Sequence, residues 1–382
     1  MSRPEPEQTE APDEAASAPI EPVGAISDTP LALSQPIDDA LLGYLCERLD
    51  RPELAFATTP QRLTGGFDTT IYRFQLTGAP AGFDGGLVIR IFTRDGGRVA
   101  REAAIQETVA QSGFPAPRIL ALCLDAGPLG APFTIMPLVQ GKTVLDAIAS
   151  PSLFLFRAPA LMAEMHARLH ALEPGILYRA LASAGLPPGP EGTRGFLAML
   201  RSELTAVPDA GMTPGLEWLE GRLPAASVAP AICHLDFHPL NILVDHGRVT
   251  GVIDWVNAAL SDPAFDVGST IMLMTLGPVD LPGPLEGVVA AGRRWAARRY
   301  LRAYQQIRPL PIERIEYGEA LRCYTGLQHA SQRLAPGAPE PAAALPYAWG
   351  TPKEVLGLSR RFHELTGITL ASERLQGLWR TD

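Results

Sequence analysis

Asp236, Asn241 and Asp254 are three oxygen-bearing side chains separated by five residues and then by 13. They lie in His234-Leu235-Asp236-Phe237-His238-Pro239-Leu240-Asn241-Ile242-Leu243-Val244, which continues after His246-Gly247 as Val249-Thr250-Gly251-Val252-Ile253-Asp254-Trp255. A carboxylate at Asp236 can accept the proton of an attacking hydroxyl. The amide oxygen of Asn241 and the carboxylate of Asp254 are hard oxygen donors of the kind Mg²⁺ prefers. The apolar runs on either side of His246-Gly247 predict two strands joined by a turn, and that hairpin brings Asp254 back towards Asn241.

The same stretch admits a different chemistry. His234 and His238 flank Asp236 and could ligate zinc in a hydrolase. The remaining histidines (His166, His170, His246, His329 and His363) form no second motif to accompany them. His166 and His170 share a helix face at i, i+4, a spacing that reads as packing or surface without an intervening Glu.

The five-residue step from Asp236 to Asn241 is the H-x-D-x-x-x-x-N arrangement of kinase catalytic loops. The stretch as a whole resembles the signature of the aminoglycoside phosphotransferase family, small-molecule kinases with a protein-kinase-like fold. That signature runs H-G-D-x-H-x-x-N, then I-D-W, then an Asp after D-P, here Asp262-Pro263 and Asp266. Leu235 stands where many members have Gly, a modest change if its side chain points away from the proton transfer. The resemblance covers about residues 60–335. It implies ATP and Mg²⁺ as cofactors, the hydroxyl of a small molecule as acceptor, Asp236 as the catalytic base, and Asn241 and Asp254 as the metal ligands. Asp266 would hold the backbone of the loop.

Upstream, the resemblance assigns the nucleotide site. Leu63-Thr64-Gly65-Gly66-Phe67-Asp68-Thr69-Thr70-Ile71-Tyr72 would cover the nucleotide, with Gly65 and Gly66 letting backbone N–H groups approach phosphates and Thr69 beside them. Met136 and Leu138 fall at the approach to the hinge and at the hinge that holds adenine. Arg90 occupies the strand position where most kinases place a Lys, and Glu102, 12 residues on, opens the helix that would pair with it. Arg forks well onto phosphate, but its planar head needs different room. Either the contact is kept by a chain that has drifted to Arg, or nucleotide binding is weaker. The second reading leaves a non-catalytic nucleotide-binding protein as an alternative function.

The elements that must position these groups follow from hydrophobic spacing. Tyr72, Phe74 and Leu76 alternate with polar residues, and 87–92 is a β-rich run containing Arg90. Turn residues at 78–86 make the two antiparallel neighbours. Residues 98–111 have helical spacing, and 118–124 and 133–138 read as further strands. Beyond Gly141 helical patterns dominate, at 161–172, 196–204, 288–305 and 315–333, with a strand-like island at 241–255. Ile37, Leu41, Leu42, Leu45 and Leu49 mark an earlier helix. The expected fold is α+β and bilobal, protein-kinase-like, with a tail over 1–36, a small β-rich lobe over 37–140 and a larger, mainly helical lobe over 141–382.

Composition narrows the function further. The 382 residues carry 32 basic and 41 acidic side chains, a net charge of −9; 30 of the bases are Arg, and Lys142 and Lys353 are the two lysines. Residues 1–30 hold seven acids and one base, so the rest of the chain is only −3. This Pro/Ala/Glu-rich tail is expected to be disordered. A near-neutral body without a basic block argues against nucleic acid as a partner. No apolar stretch reaches the roughly 20 residues of a membrane span, and the acidic start does not resemble a secretion signal. Cys46, Cys123, Cys233 and Cys323 are too scattered for a zinc knuckle or disulfide framework, which points to free thiols in a reducing, cytoplasmic setting. The arginines at 293, 294, 298, 299 and 302 read as a solvated helix face. A polycationic aminoglycoside would want an acidic pocket, for which a body of −3 gives no special encouragement; amino alcohols and hydroxy acids stay open as acceptors.

Overall fold

The computed structural model describes residues 37–63, 69–92, 96–125, 127–149, 154–187, 192–224, 229–277, 286–336 and 351–378. The expectations for the tail over 1–36 and for Gly65 and Gly66 lie outside the described residues. Among the described residues ten strands are formed: β1 (Ala55–Leu63), β2 (Thr69–Thr77), β3 (Gly86–Phe92), β4 (Ala121–Cys123), β5 (Phe133–Pro137), β6 (Lys142–Thr143), β7 (Ala231–Cys233), β8 (Ile242–Asp245), β9 (Arg248–Val252) and β10 (Ala259–Ser261). The helices begin with α1 (Asp38–Leu49), α2 (Gly96–Gln111), α3 (Val144–Ala149), α4 (Phe154–His170), α5 (Pro174–Ser183) and α6 (Gly192–Ala206). They continue with α7 (Thr213–Gly221), α8 (Pro263–Leu276), α9 (Glu286–Ile307), α10 (Ile312–Arg333), α11 (Pro352–Thr366) and α12 (Glu373–Gly377).

The first five strands make one antiparallel sheet in the order β1-β2-β3-β5-β4. Along β3, Leu87, Ile89 and Ile91 are buried, and Arg90 alternates to the other face. Leu41 and Leu45 of α1 pack with Phe74, Leu87, Ile89, Phe133 and Ile135 in the core of this β-rich region. Residues beyond 141 are mainly helical, as the spacing predicts. Two small sheets break them: β6-β8-β9, and β10 paired with β7.

Three local features set up the site. His246 and Gly247, with φ of 45° and 74°, form the two-residue turn between β8 and β9, where Asp245 pairs with Arg248. Positive φ at both central positions matches the right-handed twist of a hairpin. Asp262 caps α8, its Oδ1 accepting from the Ala264 N–H at 2.8 Å with Pro263 in the first turn. The Asp-Pro pair thus starts a helix and places Asp266 one turn in, fully buried. Gly268 of α8 faces Gly318 of α10, and a Cβ at either would overlap the backbone of the other helix. This close approach brings α10 over the loop after β7.

One strand goes unannounced by the sequence, and two expectations need correction. The edge strand β1 has no alternating burial pattern and contains Pro60, at a register shift between Thr58 and Gln61 where a ladder tolerates it, so its sequence does not announce it. Helix α2 begins at Gly96, and Glu102 therefore lies in its second turn and does not open the helix. Only 121–123 of the predicted 118–124 strand pairs, at the other edge of the sheet. No helix among the described residues is long and apolar enough to cross a membrane.

Candidate active site

Asp236 sits in the loop between β7 and β8, with residues from three directions against its carboxylate. Asn241 Nδ2 donates to Oδ2 at 3.2 Å, His238 Nε2 lies 3.6 Å from the same oxygen, and Arg322 Nη2 of α10 donates to Oδ1 at 3.4 Å. Burial works to raise the Asp236 pKa. The hydrogen bond and charge of His238, with Arg322 and His234, outweigh it and hold the group at about 2. Asp236 is therefore ionised at neutral pH, and its oxygens can only accept.

Asn241 ties the loop together. Its Nδ2 also donates to the backbone oxygen of Asp236 at 3.0 Å, and its own carbonyl accepts the Ile253 N–H at 2.9 Å. The second bond fixes the residue preceding Asp254 beside the loop. With the amide nitrogen committed to Asp236, Oδ1 is the Asn241 atom left for a cation. Asp254 adopts φ 66°, a left-handed conformation rare outside glycine, which turns the chain sharply after the hairpin.

Arg90 bridges the two halves of the molecule. Its Nη1 pairs with Glu102 Oε1, and its Nη2 lies 3.6 Å from Asp254 Oδ1. Burial acts against the charge on Arg90, but Glu102 and Asp254 hold the guanidinium charged. Burial likewise pushes Glu102 up, with Arg90 opposing. Asp254 is raised by burial, against Arg90, and by repulsion from Asp236. Two carboxylates that repel across a loop, with an amide oxygen between them in sequence, are a donor set that suits a hard divalent cation.

The predicted residues thus separate into two groups. Asp236 and Asn241 form one linked contact set, Arg90, Glu102 and Asp254 another, and the Asn241–Ile253 bond joins them. Thr69 and Met136 share the sheet with Arg90, and Leu138 follows its strand β5, but none of the three joins this chain of contacts. Thr69 starts β2 opposite Phe92, Met136 pairs with Val88, and Leu138 donates its N–H to Gly86 O at 2.8 Å. The zinc arrangement is not assembled. His234 is buried with Nε2 3.1 Å from the Ile253 carbonyl, and His238 instead meets Asn241 Nδ2 at 3.1 Å.

The model of the phosphotransferase enzyme family matches residues 59–310, which contain every one of these groups except Arg322. The chain belongs to this family. Among curated proteins, it is 28% identical over 177 residues to acyl-CoA dehydrogenase family member 10 of Mus musculus, covering 44% of this chain and 16% of that protein. It is 35% identical over 89 residues to the uncharacterized protein YcbJ of Bacillus subtilis (strain 168), covering 22% of this chain and 28% of that one. The match therefore spans well under a third of these relatives.

Solved structures share the fold at low identity. A provisionally assigned aminoglycoside phosphotransferase from Ralstonia eutropha JMP134 superposes with a TM-score of 0.63 at 19% identity, covering 86% of this chain and 98% of that one. The GDP and kanamycin complex of APH(2″)-IIIa gives 0.52 at 16% identity, covering 76% and 91%. The fold of this phosphotransferase family member is accordingly the bilobal, protein-kinase-like one.

Two features of this family member escape the sequence. Arg322 reaches Asp236 from 86 residues away, and no local spacing signals that contact. Leu235 takes φ 61° and is buried in the same core cluster as Phe265 and Tyr324. Its side chain does turn into the core, but the left-handed backbone costs a non-glycine residue about 1–2 kcal/mol. The replacement of Gly is therefore not as modest as the sequence suggests. Asp266 holds this segment: its Oδ2 accepts the His234 N–H at 2.6 Å and its Oδ1 the Leu235 N–H at 2.9 Å.

Proposed function

We propose that the chain transfers the γ-phosphoryl group of ATP to a hydroxyl of a small molecule. The observation that carries this reading is Arg90, whose single guanidinium touches Glu102 of α2 and Asp254 beside the Asp236–Asn241 loop. The acceptor oxygen forms a bond to the γ-phosphorus as the bond to the β–γ bridging oxygen breaks and ADP leaves. Asp236, ionised and acceptor-only, aligns the acceptor O–H and takes its proton as the new P–O bond forms. A group held at about pKa 2 is a weak base, so its main contribution is orientation, with proton transfer late.

Arg90, steadied by Glu102, would contact the nucleotide phosphates, and Gly65, Gly66 and Thr69 would cover them. Met136 and Leu138 would border the adenine. Asn241 Oδ1 and the Asp254 carboxylate would hold Mg²⁺, which when bound neutralises charge on the transferring phosphate. The nucleotide would bind between lobes divided at 140/141. Members of the same fold that are solved with GDP and kanamycin support a nucleotide and a hydroxyl-bearing acceptor as the two substrates. The test is ADP release from Mg·ATP over a panel of amino alcohols, hydroxy acids and aminoglycosides, comparing wild type with Asp236→Asn. Turnover on none of them, or turnover untouched by the substitution, overturns the reading.

A further inference from the structure

Both neighbours of Asp236 are gripped by one buried cluster that the phosphotransfer chemistry itself does not use. On one side the Leu235 N–H donates to Asp266 Oδ1. On the other, the Phe237 ring stacks on the His166 imidazole, with centroids 4.2 Å apart and 18° between planes. His166 and His170 lie i, i+4 on α4, and both Nε2 atoms face Asp266 Oδ2, at 3.0 and 3.2 Å. Their Nδ1 atoms meet Tyr300 Oη at 2.6 Å and Tyr304 Oη at 2.7 Å, two tyrosines again i, i+4 on α9. His166, His170, Asp266, Tyr300 and Tyr304 are all buried, at 2% exposure or less.

Each imidazole of this cluster is held on both edges, by a tyrosine hydroxyl at Nδ1 and by the Asp266 carboxylate at Nε2. With each tyrosine O–H donating to Nδ1, the ring hydrogen lies on the Nε2 edge, and that of His170 is aimed at the carboxylate. Oδ2 has two lone pairs, taken in line by the His234 N–H and His170. His166 is the third donor and approaches without hydrogen-bond alignment. Its ring is instead fixed by Tyr300 on one edge and by Phe237 on its face. Without its tyrosine hydroxyl, each buried imidazole loses the hydrogen bond on its Nδ1 edge, and packing alone is left to set that edge.

We propose that Tyr300 and Tyr304, acting through His166 and His170, are positioning residues that fix Asp266 and Phe237 and so set the placement of Asp236. This rests on the phosphotransfer reading above. Tyr300→Phe and Tyr304→Phe remove only the hydroxyls and keep the packing. The expected result is a fall in kcat of about three- to ten-fold for each, with KM for Mg·ATP unchanged. Hydrogen exchange in the peptide spanning 232–237 should speed up in the same variants. A lowered melting temperature with kcat and exchange both unchanged would mean that the tyrosines are only packing, and would overturn the proposal. If wild type turns over no acceptor, the phosphotransfer reading fails separately, and exchange in 232–237 alone decides the brace: faster supports it, unchanged overturns it. Because His166, His170 and Asp266 also lie close enough to hold a cation, elemental analysis of the purified full chain belongs to the test. A stoichiometric metal whose removal reproduces the Tyr→Phe effects would replace the brace with a metal site.

Discussion

Arg322 Nη2 lies 3.4 Å from Asp236 Oδ1, so the carboxylate proposed as the base is held by a cation from a helix far along the chain. Both side chains are largely buried, where such a pair is little screened by solvent. Removing it by Arg322→Met should raise the Asp236 pKa from about 2 towards the ordinary carboxylate range. The carboxylate stays ionised at neutral pH in either case. The acid limb of the kcat/KM profile therefore moves to higher pH, while the plateau falls only through lost alignment. An acid limb that stays in place would show that Arg322 does not tune Asp236.

Asp236→Asn keeps the shape of the loop and removes the acceptor charge. Positioned acid–base groups contribute about 10²–10⁴-fold, so kcat should fall within that range while Mg·ATP binding holds. Initial rates and a nucleotide titration on the same preparation check both halves.

Arg90 makes two contacts that a lysine cannot make together. A guanidinium forks, and an ammonium is a single point charge. Arg90→Lys should retain the Glu102 pairing or the Asp254 approach, not both, and KM for Mg·ATP should rise several-fold. Arg90→Ala leaves Glu102, already raised by burial, without its counter-charge, at a stability cost of about 3 kcal/mol. Urea denaturation of the two variants separates these effects, and equal stability of Ala and Lys would sink the buried-pair account.

Legibility in sequence follows the range over which each contact is made. Asp236 and Asn241 were readable because they share one loop, and Asp254 because a hairpin with a recognisable turn returns it. Arg90 and Glu102 were readable as a strand residue and a helix residue 12 apart. The first helix, Asp38–Leu49, forms where the apolar spacing of Leu41, Leu42, Leu45 and Leu49 marks it, with Ile37 as its cap. Arg322 was not readable, since its contact depends on α8 and α10 meeting at Gly268 and Gly318, a tertiary packing that no local pattern records. His166 and His170 read as packing because their acceptor, Asp266, lies about a hundred residues away. The left-handed conformation of Leu235 is signalled only by the Gly that the resembled signature has there, and the carboxylate that accepts its N–H reaches it from α8.

Leu235 offers a sharp test of that strain. In ordinary backbone Ala is more stable than Gly by roughly 0.5–1 kcal/mol. At φ 61° the order should reverse, because Gly escapes the left-handed penalty of about 1–2 kcal/mol that Ala keeps. Both Leu235→Gly and Leu235→Ala lose the same buried side chain, so their difference isolates the backbone. Chemical denaturation should find the Gly variant more stable by about 1 kcal/mol, and an Ala variant equal to it or better would refute the strained conformation.

Stability should also depend on pH through two buried histidines. Burial, reinforced by neighbouring His166, lowers His170 to about 4 despite Asp266. Burial also lowers His234 to about 4, against the attraction of Asp266 and Asp236. An imidazole in the unfolded chain titrates near 6.5. Between pH 6.5 and 4 the unfolded chain thus binds more protons than the folded one, and stability rises with pH across that window. The contribution is complete above about 6.5 and is lost as pH falls towards 4, on the order of 3 kcal/mol for each group. Melting temperature measured from pH 7.5 down to 4.5 should drop mainly below 6.5. His170→Asn, which cannot take up a proton, should flatten part of that drop even though it lowers stability at pH 7.5. A melting temperature constant across this range would mean that neither imidazole is held neutral by its burial.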